Sequence, residues 1–109
     1  MSRGADLARV APIFTALGDP TRLALVARLS ARGPLSIARL TVGTSVTRQA
    51  VSKHLDVLAG AGLVRGVRRG RERIWELEPR GLDQTRRYLD QISQRWDEAL
   101  ERLRRFVEQ

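Results

Sequence analysis

Twenty side chains in this sequence are lysine or arginine; nineteen of them are arginines and the other is Lys53. Arginine presents a planar fork of donors that suits phosphate oxygens and the guanine edge, so the chemistry on offer is anion and base recognition. Five arginines fall within nine residues, Arg65, Arg68, Arg69, Arg71 and Arg73, with only Glu72 among them. Like charges so close repel one another, and the cluster gains most when phosphates neutralise it. A second set is Thr47, Arg48, Gln49, Ser52, Lys53 and His54. Here arginine can grip guanine, glutamine can pair with adenine, and hydroxyls suit phosphate or base. Taken alone, the first set could be a solubilising hairpin and the second a solvated helix face. Together they favour a polyanionic partner, and Ser36 adds a hydroxyl to the candidates.

Catalytic chemistry is poorly supplied. With no cysteine, disulfides, thiolate metal sites, thiol redox sensing and cysteine nucleophiles are excluded. His54 is the single histidine, so a histidine relay or a multi-histidine metal site is hard to build. There is no nucleophile–base pair and no glycine-rich phosphate loop. The expectation is no enzyme, no cofactor and no metal. The 109 residues amount to one domain, spanning 1–109, and thirty Leu, Ile, Val and Phe residues are enough for a modest core. A net charge of +8 favours nucleic acid over membrane. The stretch from Met1 to Asp6 lacks the apolar run of a signal peptide, and Val10 to Gly18 is the longest uncharged stretch. A soluble cytoplasmic protein is expected.

The elements that must position these residues are mostly helices. Leu7, Val10, Ile13, Phe14 and Leu17 recur at helical spacing, so a first helix is expected over about 5–17, with Gly18 as a left-handed cap. Pro12 would kink this helix or begin it. Asp19-Pro20 starts a second helix and Gly33-Pro34 stops it. Ser36 can cap a short third helix through Leu40, and Val42 to Val46 reads as a turn. Thr47 caps a fourth helix to about Gly60, with Ala50, Val51, Leu55 and Leu58 on its apolar face. Two strands follow, Leu63–Arg68 and Arg71–Glu78, with Arg69-Gly70 as the turn. Pro79 opens a last helix over about 79–107. Leu82, Leu89, Trp96 and Leu103 are seven apart in it, and so are Thr85, Ile92, Ala99 and Phe106. That interleaved repeat makes a seam too long for one small core. The seam could instead pack on its own domain, and the apolar residues near Phe14 and Trp96 are expected to pack rather than to frame a ligand pocket.

The order helix, helix, helix, helix, hairpin, helix describes a mostly α protein with a small β-hairpin, a winged helix-turn-helix. Three segments make the pattern recognisable: Phe14-Thr-Ala-Leu-Gly-Asp-Pro-Thr-Arg-Leu23, Thr47-Arg-Gln-Ala-Val-Ser-Lys-His-Leu-Asp-Val-Leu58, and Ala61-Gly-Leu-Val-Arg65 with the arginine hairpin. In this order and spacing they resemble the ArsR-type winged-helix repressors. The resemblance implies an operator-binding homodimer joined through its first and last helices, here Leu7, Val10, Phe14, Leu89, Ile92, Trp96, Leu103 and Phe106. It implies double-stranded DNA as partner, with the fourth helix in the major groove and the wing reaching flanking phosphates or the minor groove. The metal sensors of that family carry cysteine in the third helix or histidine near the end of the last. This chain has Pro34-Leu-Ser-Ile-Ala-Arg-Leu40 in the first place and only Asp90, Asp97, Glu98 and Glu101 in the second. It therefore resembles the non-metal-sensing subgroup. No residue pattern identifies a small-molecule effector. The alternatives are a non-specific architectural DNA-binding protein and a helical protein-interaction module.

Overall fold

The computed structural model describes residues 3–109, with side chains from Leu7 onward; Met1 and Ser2, at the start of the stretch and domain read above, lie outside the described residues. The elements are α1 (Arg3–Leu17), α2 (Pro20–Arg32), β1 (Leu35–Ser36), α3 (Ile37–Thr41), α4 (Arg48–Gly60), β2 (Val64–Arg69), β3 (Glu72–Leu77) and α5 (Pro79–Glu108).

Local chemistry sets most boundaries. A residue before proline is pushed out of helical geometry, and Asp19 is extended at φ −110° and ψ 131°. Its carboxylate then accepts the Arg22 N–H at 3.0 Å, and Pro20 takes the position where a missing N–H loses no bond. Gly33 ends α2 at φ 79°, which glycine adopts without strain. Ser36 and Thr47 cap α3 and α4 by accepting the N–H groups of Arg39 at 3.3 Å and Ala50 at 3.1 Å.

Several expectations change. Pro12 lies inside α1 and neither begins nor ends it. Gly18 is not left-handed; the positive-φ glycines are 33, 43, 62 and 70. The rule that stops α1 is the Asp19-Pro20 step. Arg69 pairs with Glu72, so the hairpin turn is Gly70-Arg71. Gly70 has φ 64° and among the described residues no non-glycine residue is positive, the pattern of a turn that wants glycine first. The sheet has three strands, in the order β1-β3-β2, all antiparallel. Leu35 pairs with Trp75 and Ser36 with Ile74, which joins the helix-turn-helix to the wing.

One core serves all elements but most of α5. It gathers Ile13 and Ala16 of α1, Leu25 and Leu29 of α2, Leu40 of α3, Val51, Leu55 and Leu58 of α4, and Leu63, Val64 and Trp75 around the sheet. α5 contributes its first turns, where Gly81 and Thr85 are buried. Every residue from Ser93 onward is exposed. The molecule accordingly measures 65 × 31 × 20 Å, its long axis dominated by a helix of about 45 Å.

α5 is docked through a backbone contact. A Cβ at Gly81 would overlap the carbonyl of Gly62 and cannot be relieved by a rotamer change. Gly81→Ala is expected to cost about 1–3 kcal/mol, as overpacking does. Thermal unfolding at fixed protein concentration measures it; an unchanged midpoint contradicts the tight approach.

Candidate nucleic-acid interface

α4 has two distinct faces. Val51, Leu55 and Leu58 are fully buried. Gln49, Lys53 and Asp56 are exposed and Ser52 is half-buried along one stripe, with Arg48 exposed beside it at the N-terminal end. No polar atom of the stripe accounts for the seating of the helix. The amphipathic spacing does that, so these side chains are free to meet another molecule.

The start of α4 is held from outside by a residue that the sequence does not single out. A five-residue helix leaves most of its carbonyls without partners. The Arg28 guanidinium meets them: Nη1 donates to Leu40 O at 2.7 Å and Val42 O at 2.8 Å, and Nη2 to Arg39 O at 2.8 Å. Thr44 adds bonds from its hydroxyl to Thr41 O at 2.7 Å and Val46 O at 3.3 Å. The turn before α4 is thus tied to α2. The pairing spans eleven to fourteen residues, which local pattern does not reveal.

His54 is half-buried, and it differs from the other residues of its segment in having one ring nitrogen facing α2. Its Nδ1 lies 3.4 Å from Arg22 Nη1 and 4.0 Å from Asp19 Oδ2. Arg22 also donates through Nε to Ala16 O at 2.6 Å. The end of α1, the start of α2 and the middle of α4 meet at this knot, which is why Asp19 and Arg22 sit together in the first recognisable segment. The Arg22 N–H holds the Asp19 carboxyl below its ordinary value; burial opposes this next most strongly, and the charges of Arg22 and His54 add lesser lowering effects.

The wing divides its arginines. Cross-strand partners share a side of the sheet. Arg65 faces Glu76 and bonds to it at 2.9 Å, with Glu78 at 3.3 Å. The Glu76 contact and both carboxylate charges push its already basic guanidinium higher still. So the sequence expectation that only Glu72 offsets the cluster is corrected: Arg65 is neutralised within the sheet, because the register brings two acids across to it. Arg73 stacks 4.6 Å from the centroid of the Trp75 ring. Among the described residues, Arg68, Arg69 and Arg71 are exposed and their side chains make no hydrogen bond or ion pair. Ser36 and Thr47 use their oxygens as caps, which leaves each O–H proton available to donate.

α5 holds seven arginines against six carboxylates, so nearly all the net charge of +8 precedes it. Its ion pairs are internal, such as Arg87 with Asp83 at 3.1 Å and Arg104 with Glu108 at 3.3 Å. Its apolar stripe is open: Leu89, Trp96, Leu100, Leu103 and Phe106 are 48%, 67%, 62%, 56% and 76% exposed. Leu7 and Phe14 are exposed too, and Ile92 is half-buried. Val10 differs from the rest of the expected dimer set; its own protomer already covers it to 5% exposure. Phe14 meets Tyr88 with ring centroids 6.0 Å apart. These two, with Leu89, Ile92, Ser93 and Trp96, line an open groove of about 580 Å³. Within the protomer the expected packing of Phe14 against Trp96 is therefore incomplete. Among the described residues no three His, Asp or Glu side chains gather as a metal site, and no helix is long and apolar enough to cross a membrane.

A buried-faced recognition helix after a short helix and turn, followed by an arginine-tipped hairpin, defines a winged helix-turn-helix DNA-binding fold. The helix-turn-helix domain family model matches residues 17–67. The HTH-type transcriptional regulator Rv2034 of Mycobacterium tuberculosis is 44% identical over 87 residues, 80% of this chain and 78% of that protein. Among solved structures, an ArsR-like transcriptional regulator from Rhodococcus sp. RHA1 has TM-score 0.74 and 35% identity, covering 91% of this chain and 92% of that one. The homodimeric winged helix-turn-helix DNA-binding domain of Mb0332 from Mycobacterium bovis, a possible ArsR-family regulator, has TM-score 0.66 and 27% identity over 85% and 86% of the chains. The chain belongs to the ArsR-like family of HTH-type transcriptional regulators, and it is not an enzyme.

The depressed Asp19 carboxyl has a consequence for stability. A group whose folded pKa lies below its unfolded value contributes stability that is fully present above the unfolded value. That contribution is lost as pH falls through the folded one. Asp19→Ala is expected to be less stable than the wild type at neutral pH and to lose most of that deficit in strong acid. Urea unfolding across pH measures it; a deficit independent of pH contradicts the role of the carboxylate charge.

Proposed function

We propose that this regulator is a homodimeric, sequence-specific repressor acting on DNA in the cytoplasm, and that it binds an inverted-repeat operator. The observation that carries this is the pairing of two unpartnered surfaces on one chain: the polar stripe of α4 beside free wing arginines, and the open apolar stripe of α5. In this reading α1 and α5 are the dimerisation elements of one domain. Leu7, Phe14, Leu89, Ile92, Trp96, Leu103 and Phe106 meet a second copy, and the homodimeric state of the M. bovis neighbour supports that.

The dimer sets two copies of α4 in successive major grooves, roughly 34 Å apart. Arg48 and Gln49 read base edges there; Ser52 and Lys53 contact base or phosphate one turn further on. Thr47 and Ser36 donate to phosphates, and Arg68, Arg69 and Arg71 reach the flanking backbone. Occupancy of a promoter blocks polymerase.

Titration of DNA from upstream of the gene, with excess random duplex, tests this. A competitor-resistant complex holding two protomers is expected. Leu103→Asp is expected to lower dimer formation and operator affinity together. Gln49→Ala is expected to relax preference at particular bases by about 1–3 kcal/mol. A complex fully removed by random duplex, with Gln49→Ala weakening all sequences alike, supports the non-specific architectural reading instead.

A further inference from the structure

The two sides of the wing are not equivalent. Gly66 pairs with Trp75 and Arg68 with Arg73, so Arg68, Arg73, Trp75 and the open position at Gly66 share one side of the sheet. Trp75 is 2% exposed and belongs to the same core as Val51, Leu55 and Leu58 of α4. That side is therefore the one that carries the recognition helix. Arg65, with its partner Glu76, and Arg69 lie on the other.

On the α4 side, two arginines stand directly opposite each other with no acid between them. Like charges in that relation are destabilising unless something negative joins them. Arg65 shows the contrast, since it faces Glu76 and is neutralised. Arg73 turns back over the Trp75 ring, and the space it occupies is that above Gly66. A Cβ at Gly66 would strike Arg73 Nε, Cζ and Nη2. Gly66 is not among the positive-φ glycines, so its backbone does not demand glycine; a side chain there would instead push the Arg73 guanidinium out of this place. A guanidinium drawn to a ring face by its charge keeps N–H donors to spare for an anion.

We propose that Arg68 and Arg73 form one site for a single DNA backbone phosphate on the α4 side of the wing, and that Gly66 and Trp75 position the Arg73 guanidinium for it. The proposal rests on the DNA-binding reading and adds a located contact to it. Gly66 is a positioning residue: it touches no DNA and acts through Arg73.

Binding of the full chain to a labelled random-sequence duplex, measured over a range of KCl concentrations, tests it. The slope of log affinity against log salt counts neutralised phosphates, at about 0.9 per phosphate. The double variant Arg68→Gln/Arg73→Gln is expected to lose about one unit of slope. A loss of about two overturns the shared site, and no loss overturns the phosphate contact altogether. Gly66→Ala keeps every charge and is expected to weaken binding several-fold, close to Arg73→Gln, with unchanged far-UV circular dichroism. Wild-type affinity in Gly66→Ala overturns the positioning role. Should Gly66→Ala fail to fold, Arg73→Lys decides the point, since lysine keeps the charge without the flat fork; wild-type binding by Arg73→Lys overturns the proposal. If the wild-type protein binds no duplex even at low salt, the DNA-binding reading itself fails, a result distinct from variants that bind with the wild-type slope.

Discussion

The structure depends on one constraint: α4 must bury one face completely while leaving the other entirely uncommitted. Val51, Leu55 and Leu58 meet that demand at 0% exposure, and the other elements of the domain are arranged around them. α2 lies against this face with Leu25 and Leu29, α3 with Leu40, and the sheet with Leu63, Val64 and Trp75. Three buried aliphatic side chains contribute on the order of 1.5–3 kcal/mol each by removal from water. No residue of the exposed stripe is needed for that seating, so its identity is free to serve recognition.

Polar ties then fix where the helix points. Arg28 gathers the loose carbonyls at the end of α3 and so sets the turn that launches α4. Arg22 joins the last turn of α1 to His54 in the middle of α4. Both arginines come from α2 and are half-buried, apart from the polar stripe of α4. The single histidine takes part in this frame through its Nδ1. A recognition helix tied to α1 is also tied to whatever α1 and α5 assemble with, which links the spacing of two such helices to the proposed dimer.

Much of this was legible before any coordinates. Asp19-Pro20, Ser36 and Thr47 mark helix starts because capping is local chemistry. The apolar spacing of α4 and the sevenfold repeat of α5 are periodic, and periodicity survives in one dimension. What escaped depends on pairing across distance. β1 is two residues long and shows no alternation. The neutralisation of Arg65 requires the register that sets it against Glu76. The turn at Gly70-Arg71 differs from Arg69-Gly70 by one residue, yet that shift decides which residues stand directly opposite, setting Arg68 against Arg73 and Arg65 against Glu76. The contact of His54 with Arg22 depends on the meeting of α1, α2 and α4. The exposure of Trp96 was legible only as a choice between core and interface, and the projecting end of α5 leaves it outside the protomer core.

The central claim is that two copies of α4, held by one dimer, read two half-sites. Repeated selection of bound sequences from a random duplex pool tests it most directly. The account predicts enrichment of an inverted repeat with half-site centres about 10–10.5 base pairs apart. Enrichment of an unpaired half-site, or no enrichment from a pool the protein nonetheless binds, would contradict it.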